Sequence, residues 1–120
     1  MQTELIKNQL KQIRKIIADS IIALLAEFKL DRIEIAEIDE YDAPTLPLPD
    51  EYDNSCCYTL DRISIENNKV TFEGSSSCDS TEYDSDNLDV NSMLEILEWL
   101  EDHKSGILDY AEEENSCISL

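Results

Sequence analysis

The stretch from Tyr58 to Ser75, YTLDRISIENNKVTFEGS, gives the clearest indication of the fold. It contains two runs of residues with high strand propensity, separated by Asn67 and Asn68. Asparagine tolerates the positive φ angles that a two-residue type I′ turn requires. The stretch therefore predicts a tight antiparallel hairpin over residues 58–75.

A two-residue turn fixes the register of this hairpin, and the side chains agree with that register. The expected pairs are Glu66 with Lys69, Ile65 with Val70, Ile63 with Phe72 and Arg62 with Glu73. Apolar pairs then lie on one face of the hairpin and oppositely charged pairs on the other. The alternation slips between Leu60 and Ile63, which predicts a β-bulge near Asp61, opposite Gly74.

Residues 3–30 have the apolar spacing of one long amphipathic helix. The apolar positions are Ile6, Leu10, Ile13, Ile17, Ile21, Leu24 and Phe28. Such a helix is about 40 Å long, whereas a globule of this chain length is about 35 Å across. We expect the helix to overhang its domain, and Ile6, Leu10, Ile13 and Ile17 to mediate self-association into a homodimer. The alternative is a kink or fray near residues 7–15 that folds the stripe back.

The remaining elements are predicted from propensity and capping signals. Residues 32–38 form a strand or extend the first helix. Residues 39–55 and 75–87 are acidic loops, and a second helix covers about residues 90–104. Ser92, which has capping-box spacing to Glu95, or alternatively Asp89, caps this helix.

The chain is expected to end in a short helical segment and a polar tail. Gly106 suits the position just past the second helix. Residues 107–114 add a helical turn, and residues 115–120 form the tail. The predicted fold class is α+β: a single domain over residues 1–120, with the 90–104 helix packed on a small antiparallel sheet of about three strands.

The chain carries 28 acidic and 9 basic residues in 120, a formal net charge of −19. Residues 1–32 contain six basic and four acidic residues, so the remainder of the chain carries more than the whole net negative charge. This excess disfavours nucleic acid and anionic membranes as direct partners and favours a basic protein surface. The N-terminus is not that of a signal peptide, so we expect a cytoplasmic protein with reduced cysteines.

No residue pattern indicates catalysis, a metal site or a cofactor. His103 is the only histidine, and we interpret it as a favourable cation at a helix C-terminus. The cysteines lack the spacing of a zinc site, and the acidic run over residues 79–86 lacks the glycine of a calcium loop. The four cysteines are Cys56, Cys57, Cys78 and Cys117.

A repeated motif places tyrosine among carboxylates. Residues 39–42 (DEYD) recur at 50–53, and residues 82–84 repeat the last three letters. The ring and the negative charge together suit arginine and lysine on a partner. The predicted partner-binding residues are Asp39, Glu40, Tyr41, Asp42, Asp50, Glu51, Tyr52, Asp53, Glu82, Tyr83 and Asp84. The alternative is that solvated loops of an acidic protein collect such strings by chance.

These features favour a non-enzymatic acidic protein that binds a basic, nucleic-acid-handling protein, as a DNA-mimic inhibitor or a nuclease-immunity protein does. The alternative is a structural or adaptor protein that oligomerises through its N-terminal helix, with acidity serving only solubility. A small enzyme or metal-dependent module is a third class, which no sequence feature supports.

Overall fold

A computed structural model describes residues 2–47, 58–76 and 79–118 of the chain. The helices are α1 (Gln2–Glu27), α2 (Ile35–Ile38), α3 (Val90–Asp102) and α4 (Lys104–Ile118). The strands are β1 (Arg32–Glu34), β2 (Thr45–Leu46), β3 (Tyr58–Glu66), β4 (Lys69–Ser75) and β5 (Ser80–Asp84). The architecture is α+β, as predicted.

The hairpin of β3 and β4 is confirmed in its turn and its register. Asn67 and Asn68 have φ angles of 55° and 62°. All four predicted residue pairs are present, and the register shifts between Leu60 and Arg62. The bulge therefore lies at Asp61, where the break in alternation predicted it.

The sheet has five strands, all antiparallel, rather than about three. β4 occupies one side of β3, and β1 and β2 occupy successive parts of the other side. β5 then pairs with the free edge of β4. Two segments predicted as loops, 39–55 and 75–87, thus each contribute a strand.

Residues 32–38 form a strand only as far as Glu34, so the strand predicted over the whole segment is too long. β1 pairs with β3 up to Glu34 opposite Arg62, next to the bulge at Asp61. The chain then turns into the short helix α2. Beyond the bulge, residues Tyr58 and Thr59 of β3 pair with β2 instead.

α1 ends in a Schellman motif. Lys29 has a φ of 60°, and the N–H groups of Lys29 and Leu30 donate to the carbonyls of Ala26 and Leu25. The side chains of residues 3–13 are exposed, whereas the face of the helix that contains Ile17, Ile21 and Leu25 is buried in the core. The principal extents of 56 × 33 × 24 Å reflect this protruding helix.

The C-terminal helices differ from the sequence prediction at Gly106 and in the tail, whereas the cap of α3 is the alternative predicted from sequence. Asp89, not Ser92, caps α3, since its carboxylate accepts the N–H of Ser92. Gly106 lies inside α4 rather than after a helix, because α4 starts at Lys104. Helical backbone continues to Ile118, so most of the predicted polar tail is helical.

The core joins α1, α3 and α4 to the inner face of the sheet in one cluster of buried apolar side chains. Ile33, Ile63, Phe72 and Tyr83 form a row across four strands on this inner face. The corresponding row on the outer face is Glu34, Arg62, Glu73 and Glu82. This division, with one face packed and the other solvated, is typical of antiparallel sheets.

Candidate functional site

The loop that follows α2 is folded by its own side chains. Asp39 Oδ1 accepts hydrogen bonds from the backbone N–H groups of Tyr41 (3.0 Å) and Asp42 (3.2 Å). The bond from Tyr41 is the main reason why the pKa of the Asp39 carboxyl lies below its usual value, with Asp42 and His103 adding to it against the effect of burial. Tyr41 is left 91% exposed at the tip of this turn.

The last turn of α3 anchors the loop to the core. The indole N–H of Trp99 donates to the backbone carbonyl of Asp42. The His103 ring stacks on Trp99 with centroids 4.0 Å apart, and its Nδ1 lies 2.7 Å from the Trp99 carbonyl. Trp99, which is largely buried, thus contacts both the loop and the imidazole of His103.

Three side chains converge where the loop meets α3, and we call them the His103 cluster: Asp39, Asp42 and His103. His103 Nε2 lies 3.4 Å from Asp39 Oδ2 and 3.5 Å from Asp42 Oδ2. One ligand atom from each residue lies within 4.8 Å of the other two. The sequence predicted the aspartates in a binding loop and the histidine at a helix end, without indicating that they meet.

The helices around this loop carry further exposed carboxylates, which the repeated motif does not include. We define the acidic helical surface by exposed carboxylates of α2, the loop, α3 and α4. They are Glu37, Glu40, Asp42, Glu95, Glu98, Glu101, Asp102, Asp109, Glu112, Glu113 and Glu114. In the described parts of the chain, no lysine or arginine forms an ion pair with any of them. The signal available in the sequence was the acidic outer face of the second helix.

The outer face of the sheet is also acidic, but several of its carboxylates form ion pairs with Arg62 or Lys69. Arg62 lies 2.7 Å from Glu34 and 3.0 Å from Glu73, and the pKa of its guanidinium is raised, chiefly by Glu34. Lys69 lies 2.8 Å from Asp86, which raises the lysine pKa and lowers that of Asp86. Less negative charge is therefore free here than on the acidic helical surface.

The predicted binding residues of 82–84 are divided between the two faces of β5. Tyr83 pairs with Phe72 on the inner face, and its hydroxyl donates to the carbonyl of Pro47 at 2.7 Å. Glu82 and Asp84 lie on the outer face, where Asp84 is 3.6 Å from Lys69. Strand alternation thus separates the ring from its carboxylates, a consequence of β5 being a strand.

The protruding half of α1 presents apolar side chains to solvent. Ile6, Leu10 and Ile13 are 55%, 42% and 42% exposed. Ile17, predicted to belong to the same associating stripe, is only 4% exposed because it packs into the domain's own core. Leu5 and Ile16, which the prediction omitted, are exposed as well.

A groove of about 870 Å³ runs between this part of α1 and the hairpin tip. Its cationic lining comes from Lys7, Lys11, Arg14, Lys15 and Lys69. Arg14 donates to the carbonyls of Asp86 and Leu88, and Lys15 lies 3.2 Å from Asp19. The groove is a basic region at the end of α3 opposite to the His103 cluster.

Several sequence predictions fall outside the described residues. Asp50, Glu51, Tyr52 and Asp53 lie there, as do Cys56, Cys57 and Cys78. The side chain of Cys117 is likewise not described. The second copy of the DEYD motif therefore stays a prediction.

Among the helices that the structure describes, none combines the length and the apolar character needed to cross a lipid bilayer. Comparisons of the chain with models of protein families, with curated proteins and with solved structures found no match.

Proposed function

We propose that this chain is a non-enzymatic binding protein whose acidic helical surface engages a basic protein. The observation that carries the proposal is Tyr41, an exposed aromatic ring on a loop whose backbone is fixed at both ends. Asp39 holds the turn from within, and Trp99 holds the carbonyl of Asp42. A loop whose backbone is already ordered loses little conformational entropy on binding, and tyrosine is enriched among binding hot spots.

The electrostatics around Tyr41 define the class of partner. The carboxylates of the acidic helical surface have no lysine or arginine partner within the described residues, so they attract lysine and arginine from outside. A guanidinium or ammonium group also interacts favourably with a tyrosine ring. Surfaces built to bind phosphates and bases carry such cations, so we propose a nucleic-acid-handling protein as the partner.

We expect immobilised full-length chain to capture a basic protein from a lysate of its source organism at low salt and to release it at high salt. Duplex DNA should compete for the captured protein. With that protein purified, Tyr41→Ala should weaken binding by about 2 kcal/mol, roughly 30-fold, because it removes the central aromatic contact. Calorimetry on the purified pair measures the change.

Two control variants make this experiment specific. Tyr41→Phe retains the ring and should bind within a few-fold of the wild type. Glu66→Gln removes one charge from an exposed residue at the hairpin tip and should have little effect. Capture of no basic protein, or equal affinity for the wild type and Tyr41→Ala, would contradict the proposal.

A second candidate function, self-assembly, is favoured by the exposed apolar residues of α1. Leu5, Ile6, Leu10, Ile13 and Ile16 extend along the part of the helix that its own domain does not cover. The same stripe on a second copy of the chain is a surface of matching chemistry and length. Association would bury the apolar stripe of each helix.

The combined substitution of Leu10→Asp and Ile13→Asp is expected to convert a homodimer to a monomer, because both charges would enter the apolar interface. Size-exclusion chromatography with light scattering over a range of concentrations measures the mass. Leu108→Asp, at an exposed apolar position on α4, is the matched control and should leave the mass unchanged. A wild-type chain that is monomeric at every concentration would remove this candidate.

A further inference from the structure

We propose that Asp39, Asp42 and His103 bind a divalent transition-metal ion of the zinc class. The hydrogen bonds of the site leave one ligand atom free on each residue. Asp39 Oδ1 is occupied by two backbone N–H groups, so Oδ2 is the oxygen that faces His103. Asp42 contributes its own Oδ2, and His103 contributes Nε2.

The orientation of the imidazole is fixed by the backbone of α3. The Trp99 carbonyl only accepts hydrogen bonds, so His103 Nδ1, 2.7 Å away, carries a hydrogen and donates it. In the neutral ring the lone pair is then on Nε2, directed between two carboxylates. A backbone carbonyl bonded to one ring nitrogen while the other faces the metal is the usual arrangement of a metal-binding histidine.

The nitrogen–oxygen distances of the cluster suit ligands of one metal ion. A protonated Nε2 donating to a carboxylate lies about 2.7–2.9 Å from its oxygen. The distances here are 3.4 and 3.5 Å. In a tetrahedral zinc site, with Zn–N and Zn–O bonds of about 2.0–2.2 Å, nitrogen and oxygen ligands are separated by about 3.3 Å. The two nitrogen–oxygen edges of the cluster are close to this separation.

The donor set narrows the choice of cation. Calcium and magnesium prefer shells made of oxygen alone, whereas zinc and its neighbours readily accept imidazole nitrogen with carboxylate. Three protein ligands leave a fourth tetrahedral position, and the exposure of Asp42 gives that position access to water. Trp99 supports the site by stacking on the ring and by holding the Asp42 backbone.

The test is a titration of the full-length chain with zinc chloride, followed by nitrogen NMR of the imidazole. The chain has one histidine, so its two ring-nitrogen signals need no further assignment. We expect the Nε2 signal to shift to a metal-bound position and saturate while Nδ1 keeps its hydrogen. The titration continues to several equivalents, so that zinc held by the cysteines does not hide the imidazole site.

A matched pair of variants in the loop separates ligand loss from charge loss. Asp42→Asn should lower the affinity measured at the imidazole by at least about tenfold, since even residues outside the ligand shell change metal affinity by about 10–100-fold. Glu40→Gln removes the same charge from the neighbouring exposed carboxylate and should leave the affinity within about twofold, its carboxylate lying outside the cluster. Circular dichroism verifies that both variants are folded.

Ring signals that do not move at excess zinc would overturn the proposal. Equal affinities for Asp42→Asn and Glu40→Gln would overturn it too, since zinc would then be responding only to general negative charge. The measurement uses the metal alone, without any protein partner. Its outcome is therefore independent of whether the acidic helical surface binds a basic protein.

Discussion

Replacing Trp99 with alanine is expected to lower the free energy of unfolding by about 3–5 kcal/mol. The side chain is 7% exposed and belongs to the main core cluster, so its removal leaves a large cavity. The change also removes the indole N–H that holds the Asp42 carbonyl and the ring that stacks on His103. Stability and the geometry of the candidate site should therefore be lost together.

Trp99→Phe separates these two effects. Phenylalanine keeps an aromatic ring in the core but has no N–H to donate. The lost hydrogen bond should lower the free energy of unfolding by about 1 kcal/mol, in addition to any effect of the changed packing. Urea unfolding followed by circular dichroism is the appropriate measurement, because Trp99 is the only tryptophan and its fluorescence is lost in both variants. Full stability of Trp99→Ala would contradict the central position that the structure gives this residue.

Gly74→Ala is expected to destabilise the protein by about 2–3 kcal/mol, because the strand has no room for a methyl group. A Cβ atom at this position would lie 2.8 Å from the carbonyl oxygen of Thr59 and 2.7 Å from Leu46 Cδ1. Leu46 is itself buried in the core, and the carbonyl is part of the β3 backbone, so neither neighbour moves away easily. The melting temperature should fall by about 6–12 °C.

Gly106→Ala is the matched control for this prediction. A Cβ at Gly106 would lie 3.1 Å from the side chain of Ile38, and the backbone here is helical. Alanine is favoured over glycine in a helix by about 1 kcal/mol, which offsets the close contact. We expect a change of less than about 1 kcal/mol in thermal unfolding. Equal destabilisation by the two substitutions would show that the close contacts at Gly74 are not the cause of the destabilisation.

The parts of the fold that followed from the sequence are those governed by local interactions. The turn at Asn67 and Asn68 fixes the register of β3 and β4, and the position of the bulge follows from the same alternation. The long uninterrupted apolar period of α1 likewise predicted a helix. In each case the pattern and the backbone preferences point to the same structure.

β5 and α2 were missed because their conformation depends on non-local partners. Residues 80–84 have a strand pattern, with Thr81 and Tyr83 alternating with polar residues, but their acidic composition resembles a solvated loop. The unpaired edge of β4 is what makes them a strand. Residues 35–38 become helical where the partner strand β3 turns to pair with β2.

The candidate site depends even more on contacts between residues that are distant in the sequence. The sequence identified the 39–42 loop from its composition but treated His103, more than 60 residues away, as an isolated cation. Nothing in the local spacing of these residues indicates that they meet. Trp99 is the residue that brings them together.

The sequence by itself determined the hairpin, the long helix and the excess of negative charge, because turn geometry, helical periodicity and ionisation depend on residues and their near neighbours. Only the tertiary structure decided how that charge is distributed. Strand pairing places Arg62 and Lys69 against the carboxylates of the outer sheet face, whereas α3 and α4 keep theirs without cationic partners in the described residues. Packing of α3 against the loop then brings Asp39, Asp42 and His103 within reach of one ion, because burial of Trp99 fixes both segments.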